Sequence, residues 1–238
     1  MSQSEKPKRA ERKKFNYEEL SSIVQTIAIM VAGIWGVYTF IYQAKIAPSL
    51  APPTLSVTST LEKAGQKGNL IAIHSTVTRT NVGQARVRLL GITYNLIGIK
   101  EHFGSSAVSN SEFTTRVASS SSVLEPRYYG KPDKREVILR VGNLFEGATN
   151  LPAYPAELNP GESISRDMVF YADQAMFDSL RFQVRLLYEK ISDEPIPLVF
   201  NVDGEGMIIA EKAPPCASEP DKCKALNSTD FTTELSLW

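Results

Sequence analysis

The sequence has few cysteines and few histidines, with two of each among 238 residues. This scarcity excludes a small scaffold held by many disulfides, and it excludes a zinc module built from several Cys and His ligands. The sequence also has no excess of charge of one sign, because 26 basic residues balance 26 acidic ones. A neutral chain has no overall attraction to polyanions, so we expect no nucleic-acid partner.

Sequence signatures of catalysis and of cofactor binding are also lacking. The chain has no G-x-S-x-G elbow, no phosphate-binding P-loop and no G-x-G-x-x-G fingerprint. His74 and His102 each lack a second His or Cys at the spacing of metal ligands. Residues 201–206 (NVDGEG) resemble the start of a calcium loop, but Lys212 stands where that loop needs a bidentate Glu, so we interpret them as a hairpin turn. We expect no enzyme, no cofactor and no metal site.

Charge is absent from residues 22–43, which are mostly apolar. A helix of this length spans about 33 Å, which matches the hydrocarbon core of a bilayer. Trp35, Tyr38 and Tyr42 lie in its C-terminal half, as residues of an interfacial aromatic belt do. The segment is longer than the apolar core of a signal peptide, about 7–15 residues. We therefore predict a transmembrane helix that is not cleaved, with a cleaved signal or a buried soluble helix as alternatives.

Flanking charge predicts the orientation of this helix. One basic residue, Lys45, follows it closely, whereas six precede it within residues 1–21: Lys6, Lys8, Arg9, Arg12, Lys13 and Lys14. The positive-inside rule makes residues 1–21 a cytoplasmic tail and exports the rest of the chain. Sparse cysteine favours a bacterial inner (cytoplasmic) membrane with a periplasmic domain.

Three small residues of the predicted helix, Ala28, Ala32 and Gly36, fall at intervals of four. They lie on one helix face and could let a second helix approach closely. This candidate helix-packing face is either a coincidence of composition or the contact surface for a second membrane helix.

Beyond the helix, the spacing of apolar residues changes to the alternation of β-strands. Residues 44–53 contain three prolines and are predicted to form an extended spacer. Residues 54–212 contain about eight short segments of alternating pattern, separated by turn residues. The predicted fold is mainly β, with one N-terminal transmembrane helix followed by an immunoglobulin-like antiparallel β-sandwich.

Two segments of the sandwich give detailed predictions. Phe182, Val184, Leu186 and Tyr188 alternate with polar residues and are predicted to face the core. Residues 89–91 (LLG) break the alternation of another strand, which predicts a β-bulge.

Residues 101–134 are Ser-rich and are predicted to form a long insertion, either a loop or a ragged hairpin.

Residues 213–238 are predicted to be a polar C-terminal tail. Its cysteines, Cys216 and Cys223, lie on no apolar face, so we expect neither to be a buried core thiol. An even number of cysteines in an exported segment indicates a disulfide between them. Two free thiols or a redox-active pair are the alternatives.

These features support three functional hypotheses. The leading one is a non-enzymatic, membrane-anchored β-sandwich that binds a protein or polymer partner outside the cytoplasm, through edge strands or long loops. The second is an accessory subunit of a membrane complex, assembled through its transmembrane helix. The third and weakest is an envelope enzyme or a ligand-binding domain.

Overall fold

A computed structural model describes residues 17–103, 110–119, 121, 130–214, 216 and 226–238. The chain divides into two compact units, Met1–Leu50 and Ala51–Trp238. The basic residues that precede the apolar segment lie outside the described residues, so the cytoplasmic tail stays a prediction.

The described part of the first unit, residues 17–50, is helical. Helix α1 spans Tyr17–Ile41, a π-helical turn spans Tyr42–Ile46, and a short helix α2 spans Ala47–Leu50. Within it, Leu20–Ala44 is long and apolar enough to cross a membrane, and none of its apolar window is buried in the protein. Length and composition thus support the predicted membrane segment.

The prediction of an extended spacer over residues 44–53 is wrong for most of its length, because the helix continues through Pro48 to Leu50. The π-helical turn explains how the helix accommodates this proline. In that turn the N–H of Ala47 donates to the carbonyl of Tyr42, five residues earlier. Such a local widening is one of the adjustments by which helices accommodate a proline.

The second unit contains two antiparallel sheets and a hairpin. A three-stranded sheet has the order β1-β2-β6, with β1 Leu55–Lys67, β2 Leu70–Asn81 and β6 Ser163–Asp173. A five-stranded sheet has the order β10-β7-β3-β4, with β5 also paired to β3; its strands are β3 Val87–Phe103, β4 Gly130–Leu144, β5 Glu157–Leu158, β7 Ser179–Lys190 and β10 Asn227–Ser236. Strands β8 Leu198–Val202 and β9 Ile208–Lys212 form the hairpin, and helix α3 Asn110–Ser119 lies between β3 and β4 in the chain.

The two sheets pack face to face around one main core. Ile73 and Val77 of β2 enter this core from one sheet, and Tyr94 and Phe182 enter it from the other. The rings of Tyr94 and Phe182 stack with centroids 5.9 Å apart. The predicted mainly β, antiparallel sandwich is confirmed, whereas the finer likeness to immunoglobulin domains is not.

The two detailed predictions for the sandwich are confirmed. The four alternating residues of β7, Phe182 to Tyr188, are all buried in the main core. The pairing of β3 with β7 shifts register between Leu89 and Gly91, at the predicted bulge. Leu89 enters the main core and Leu90 enters a second apolar cluster under the β8–β9 hairpin. The shift changes which positions face the main core, from Val87 and Leu89 before it to Ile92 and Tyr94 after it.

At its two ends, the predicted insertion over residues 101–134 continues the β3–β4 hairpin. The two strands remain paired as far as Phe103 and Gly130. Of the residues between these ends, the structure describes helix α3 and Ser121.

The prediction of a polar C-terminal tail over residues 213–238 is wrong for its second half. Strand β10 pairs with β7 along its whole length, from Asn227 opposite Tyr188 to Ser236 opposite Ser179. The Thr233 hydroxyl donates to the carbonyl of Ser59 at 3.0 Å and also contacts the Ser59 hydroxyl, which links β10 to β1 across the sandwich. This contact joins the two sheets on one side.

Cys216 is also placed differently from the prediction. It is buried in the second apolar cluster, together with Leu90, Leu187 and Ala210. The expectation that it would not be a core residue is therefore wrong. Cys223 lies outside the described residues, so the Cys216–Cys223 disulfide stays a prediction.

Candidate functional site at the edge of the three-stranded sheet

Strand β6 forms one edge of the three-stranded sheet. Among the strands that the structure describes, it pairs with β2 alone, in an unbroken register from Ser163 opposite Thr80 to Asp173 opposite Leu70. The backbone N–H and C=O groups on its other side therefore face away from the sheet. A long, regular edge of this kind can pair with a strand from another chain.

The outer face of the sheet carries exposed apolar side chains at one end of β6. Val169 and Tyr171 of β6 are 57% and 60% exposed, and Leu70 of β2 is 48% exposed. Val169 lies opposite His74 and Tyr171 opposite Ala72, so these side chains point to the same side of the sheet. We call Val169, Tyr171 and Leu70 the edge patch. Contiguous exposed apolar side chains can form a surface that contacts another molecule.

The rest of this outer face is polar and ordered by hydrogen bonds between strands. Three side-chain pairs join β2 to β6: Thr80–Ser163 at 2.7 Å, Thr78–Ser165 at 2.7 Å and Thr76–Asp167 at 2.6 Å. Asp167 also lies 3.5 Å from Nε2 of His74. Across residues 17–103, 110–119, 121, 130–214, 216 and 226–238, no group of three or more His, Cys, Asp or Glu could hold a metal ion. Among the described residues, His74 thus has one carboxylate neighbour, Asp167, on the exposed outer face of the sheet. The side chain of His102 is not among those that the structure describes.

The sandwich opens toward the start of β6. The core-facing side chains of this strand go from buried at Phe170 to half-buried at Met168 and to 37% exposed at Ile164. Arg166 belongs to the same face, because it lies opposite Val77, which is a core residue. The three-stranded sheet therefore leaves a charged and a partly exposed apolar side chain at this opening.

Arg79 of β2 lies in this opening, on the same face as Val77 and opposite Ile164. Its side chain is half-buried, and its guanidinium lies 5.9 Å from the centre of the Phe145 ring. Burial lowers the pKa of Arg79, and the positive charge of Arg166 lowers it further, whereas Tyr94 raises it. Arginine remains charged in spite of such shifts. Among the described residues, none of the groups that shift this pKa is a carboxylate.

Tyr94 completes this cluster from the opposite sheet. Burial raises the pKa of its phenol, while the positive charges of Arg79 and Arg166 lower it. Neither arginine forms a salt bridge with a carboxylate of the described chain. We call Arg79, Arg166 and Tyr94 the arginine cluster, and it holds two positive charges close together.

A second concave surface lies on the outer face of the five-stranded sheet. It is a hollow of about 210 Å³, lined by Thr93 and Asn95 of β3 and by residues of the β8–β9 turn. The side-chain amide of Asn95 donates to the carbonyl of Ile208 at 3.0 Å and accepts from its N–H at 2.8 Å. The hairpin is thereby fixed on the sheet, and the hollow is small, with a lining that is about equally polar and apolar.

The predicted hairpin at residues 201–206 is confirmed, because β8 and β9 flank it. The Asp203 carboxylate accepts the backbone N–H groups of Glu205 and Met207, each at 2.9 Å. One oxygen of Asp203 accepts both hydrogen bonds, which stabilise the turn.

The residues of the candidate helix-packing face, Ala28, Ala32 and Gly36, are all exposed on α1. A Cβ atom added at Gly36 would meet nothing within 4 Å. The face is open, but its role in helix association stays a prediction.

The comparisons with known proteins identify no family. No protein-family model matches the chain, and no curated protein matches it. Among solved structures, the chain is similar to one described as an ApaA protein of Bordetella pertussis, with 10% identity and a TM-score of 0.34. The match covers 76% of this chain and 93% of the other. A likeness this distant supports no inference about function.

Sequence reasoning missed the edge patch and the arginine cluster. A signal for the cluster was present, because Arg166 interrupts a core-facing series that includes Ile164, Met168 and Phe170. Arg79 likewise follows Ile73 and Val77 at core-facing positions. Finding that the two arginines are neighbours required the register of β2 with β6, which the sequence alone does not specify.

Proposed function

We propose that this protein is a single-pass membrane protein whose β-sandwich unit binds a protein partner through the free edge of β6, without catalysis. The observation that carries the proposal is the unbroken, eleven-residue edge strand with the apolar edge patch beside it. Strand β6 contains no proline and no lysine, the residues that commonly protect an edge from pairing.

In this mode of binding an extended segment of the partner adds as a further strand. Its backbone hydrogen bonds with β6 provide affinity, and its alternate side chains provide specificity. Apolar side chains on its outer face would pack beside Val169 and Tyr171 of the edge patch.

The experiment is site-specific photo-crosslinking in living cells that express the full chain. A crosslinking residue at Val169 or Tyr171 is expected to capture one and the same protein. The matched control is Thr58, which is exposed on the outer face of β1 in the same sheet. Val169→Lys, with the crosslinking residue at Tyr171, is expected to reduce capture, because it places a charge on the edge patch.

The proposal fails if Thr58 captures the same protein as strongly as β6 does. It also fails if neither position of β6 gives a defined crosslink.

We further propose that the N-terminus is cytoplasmic and that the sandwich lies in the periplasm. Support comes from the six basic residues before the apolar segment and from Lys45 alone close behind it. An oxidising compartment would also favour a bond between Cys216 and Cys223.

Alkylation of the unfolded, unreduced protein tests that bond. We expect no modified cysteine before reduction and two after it. Two modified cysteines without reduction would contradict the disulfide.

A second candidate function is assembly of a membrane complex through α1. The spacing of Ala28, Ala32 and Gly36 at intervals of four on one helix face supports it. Co-purification from detergent separates it from the leading proposal. A partner that is retained after deletion of residues 51–238 would indicate the helix, and one that is lost would indicate the sandwich.

A further inference from the structure

The arginine cluster has no carboxylate partner among the described residues. Arg79 is half-buried between the sheets. The charged group that shifts its pKa is another arginine, Arg166. Partial burial of a charge is costly unless an opposite charge or sufficient hydrogen bonds offset the loss of hydration. The contact of Arg79 with the Phe145 ring offsets only part of this cost.

The cluster also lies beside the free edge. A strand added to β6 would place one residue directly opposite Arg166, with Cβ atoms about 5 Å apart on the core-facing side. Arg79 is one strand further away, and two strand spacings amount to about 10 Å. The long side chains of an arginine and a glutamate can meet across that distance, beside the partly exposed Ile164.

We infer that the segment which adds to β6 is acidic, and that Arg79, Arg166 and the Tyr94 hydroxyl receive a carboxylate from one of its core-facing side chains. This inference rests on the proposed strand addition at β6. Guanidinium groups form strong hydrogen bonds with carboxylates, and a phenol can donate a further one.

The same charges explain how an open edge could avoid wrong partners. A core-facing charge on an edge strand opposes pairing with an apolar strand, because the charge would lose water without gaining a partner. An acidic segment removes this penalty. The cluster would then select among extended segments as well as bind one of them.

The test uses the full chain in detergent and an array of synthetic eleven-residue peptides with alternating polar and apolar residues. Each peptide carries Glu at one alternate position and has a twin with Gln at that position. We expect several Glu peptides to bind about tenfold more tightly than their twins, which is the effect of one charge-assisted hydrogen bond.

Two variants and one control assign this preference to residues. Arg79→Gln and Arg166→Gln are each expected to reduce the preference for Glu over Gln. Arg185→Gln removes the same charge from an exposed residue of β7 and is expected to leave the preference unchanged. Because Arg166 is exposed, its variant is expected to fold even if Arg79→Gln is destabilised.

Three results would overturn the inference: no binding of any Glu peptide, no preference for Glu over Gln, or a preference that Arg185→Gln lowers as much as Arg166→Gln does. If Glu and Gln peptides bind equally and Val169→Lys abolishes both, strand addition at β6 stands while its acidic specificity is refuted. If, in the separate crosslinking experiment in cells, neither Val169 nor Tyr171 captures a defined protein, the proposed function itself fails.

Discussion

Single residues of β7 show how strongly burial differs between adjacent positions. Leu186 is fully buried in the main core, whereas Arg185 is exposed on the opposite face. Leu186→Ala is expected to lower the free energy of unfolding by about 2–5 kcal/mol, because it removes buried methyl groups and leaves a cavity. Arg185→Ala is expected to change it by less than about 0.5 kcal/mol. Urea unfolding of both variants measures the difference, and equal costs would contradict the register described for β7.

Asp178 precedes β7 and connects it to β3. Its carboxylate accepts bonds from the Lys100 ammonium and from the backbone N–H of Glu101, each at 2.9 Å. Burial raises the pKa of Asp178, but these hydrogen bonds and the charge of Lys100 lower it by more, so the net shift is downward.

A lowered pKa means that ionised Asp178 stabilises the folded state. This contribution is complete above the unfolded-state pKa of about 4 and is lost as the pH falls through the lower folded-state pKa. Asp178→Asn is therefore expected to cost about 1–2 kcal/mol at pH 7 and progressively less below about pH 4. Thermal unfolding across pH measures this, with Asp133→Asn, at an exposed position of β4, as the control. A cost that does not change with pH would contradict the role of the charge.

At the scale of elements, β10 stabilises the sandwich by joining β7 to β1. Thr233 donates to the carbonyl of Ser59, whose hydroxyl is also buried against Thr233. Thr233→Val is expected to cost about 1–2 kcal/mol, because it leaves polar groups of Ser59 without this partner. Thr232→Val, on the outer face of the same strand, keeps a β-branched residue and is expected to be close to neutral. Equal melting temperatures for the two variants would show that this link contributes nothing.

The elements also show which parts of the fold the sequence could predict. The β7 pattern was clear because large apolar residues alternate with charged ones, and the bulge at residues 89–91 was visible as a break in such a pattern. Strand β10 was missed because its core-facing positions include Thr229 and Thr233, whose hydroxyls hide the alternation. Helix continuation through Pro48 was missed because a π-helical turn depends on hydrogen bonds rather than on composition.

The candidate site was harder to predict than the fold. The edge patch and the arginine cluster exist only because β6 pairs with β2 and with no other described strand. Periodicity predicts that Arg166 faces the core, but it does not state which strand lies beside it or that the sandwich opens there. Those facts depend on contacts between segments that are distant in the sequence.

At the scale of the whole molecule, the prediction concerns membrane orientation. A reporter that is active only outside the cytoplasm, fused after Trp238, is expected to be active. Replacing the six basic residues before the apolar segment with Gln is expected to reduce that activity, because the positive-inside bias is lost. Activity of a cytoplasmic reporter at the same position would show that the proposed orientation is wrong.

The core-facing position of Arg166 has a consequence for crowding on a membrane. If the apolar helix anchors the protein as proposed, all copies share one surface and one orientation, so their free edges would meet often. If two copies joined their β6 strands antiparallel with their cores continuous, both Arg166 side chains would lie on the same face of the shared sheet, within a few residues of each other. Like charges placed so close repel each other, and salt screens that repulsion. The arginine that would admit an acidic partner would therefore also keep neighbouring copies apart, and self-association would increase with ionic strength.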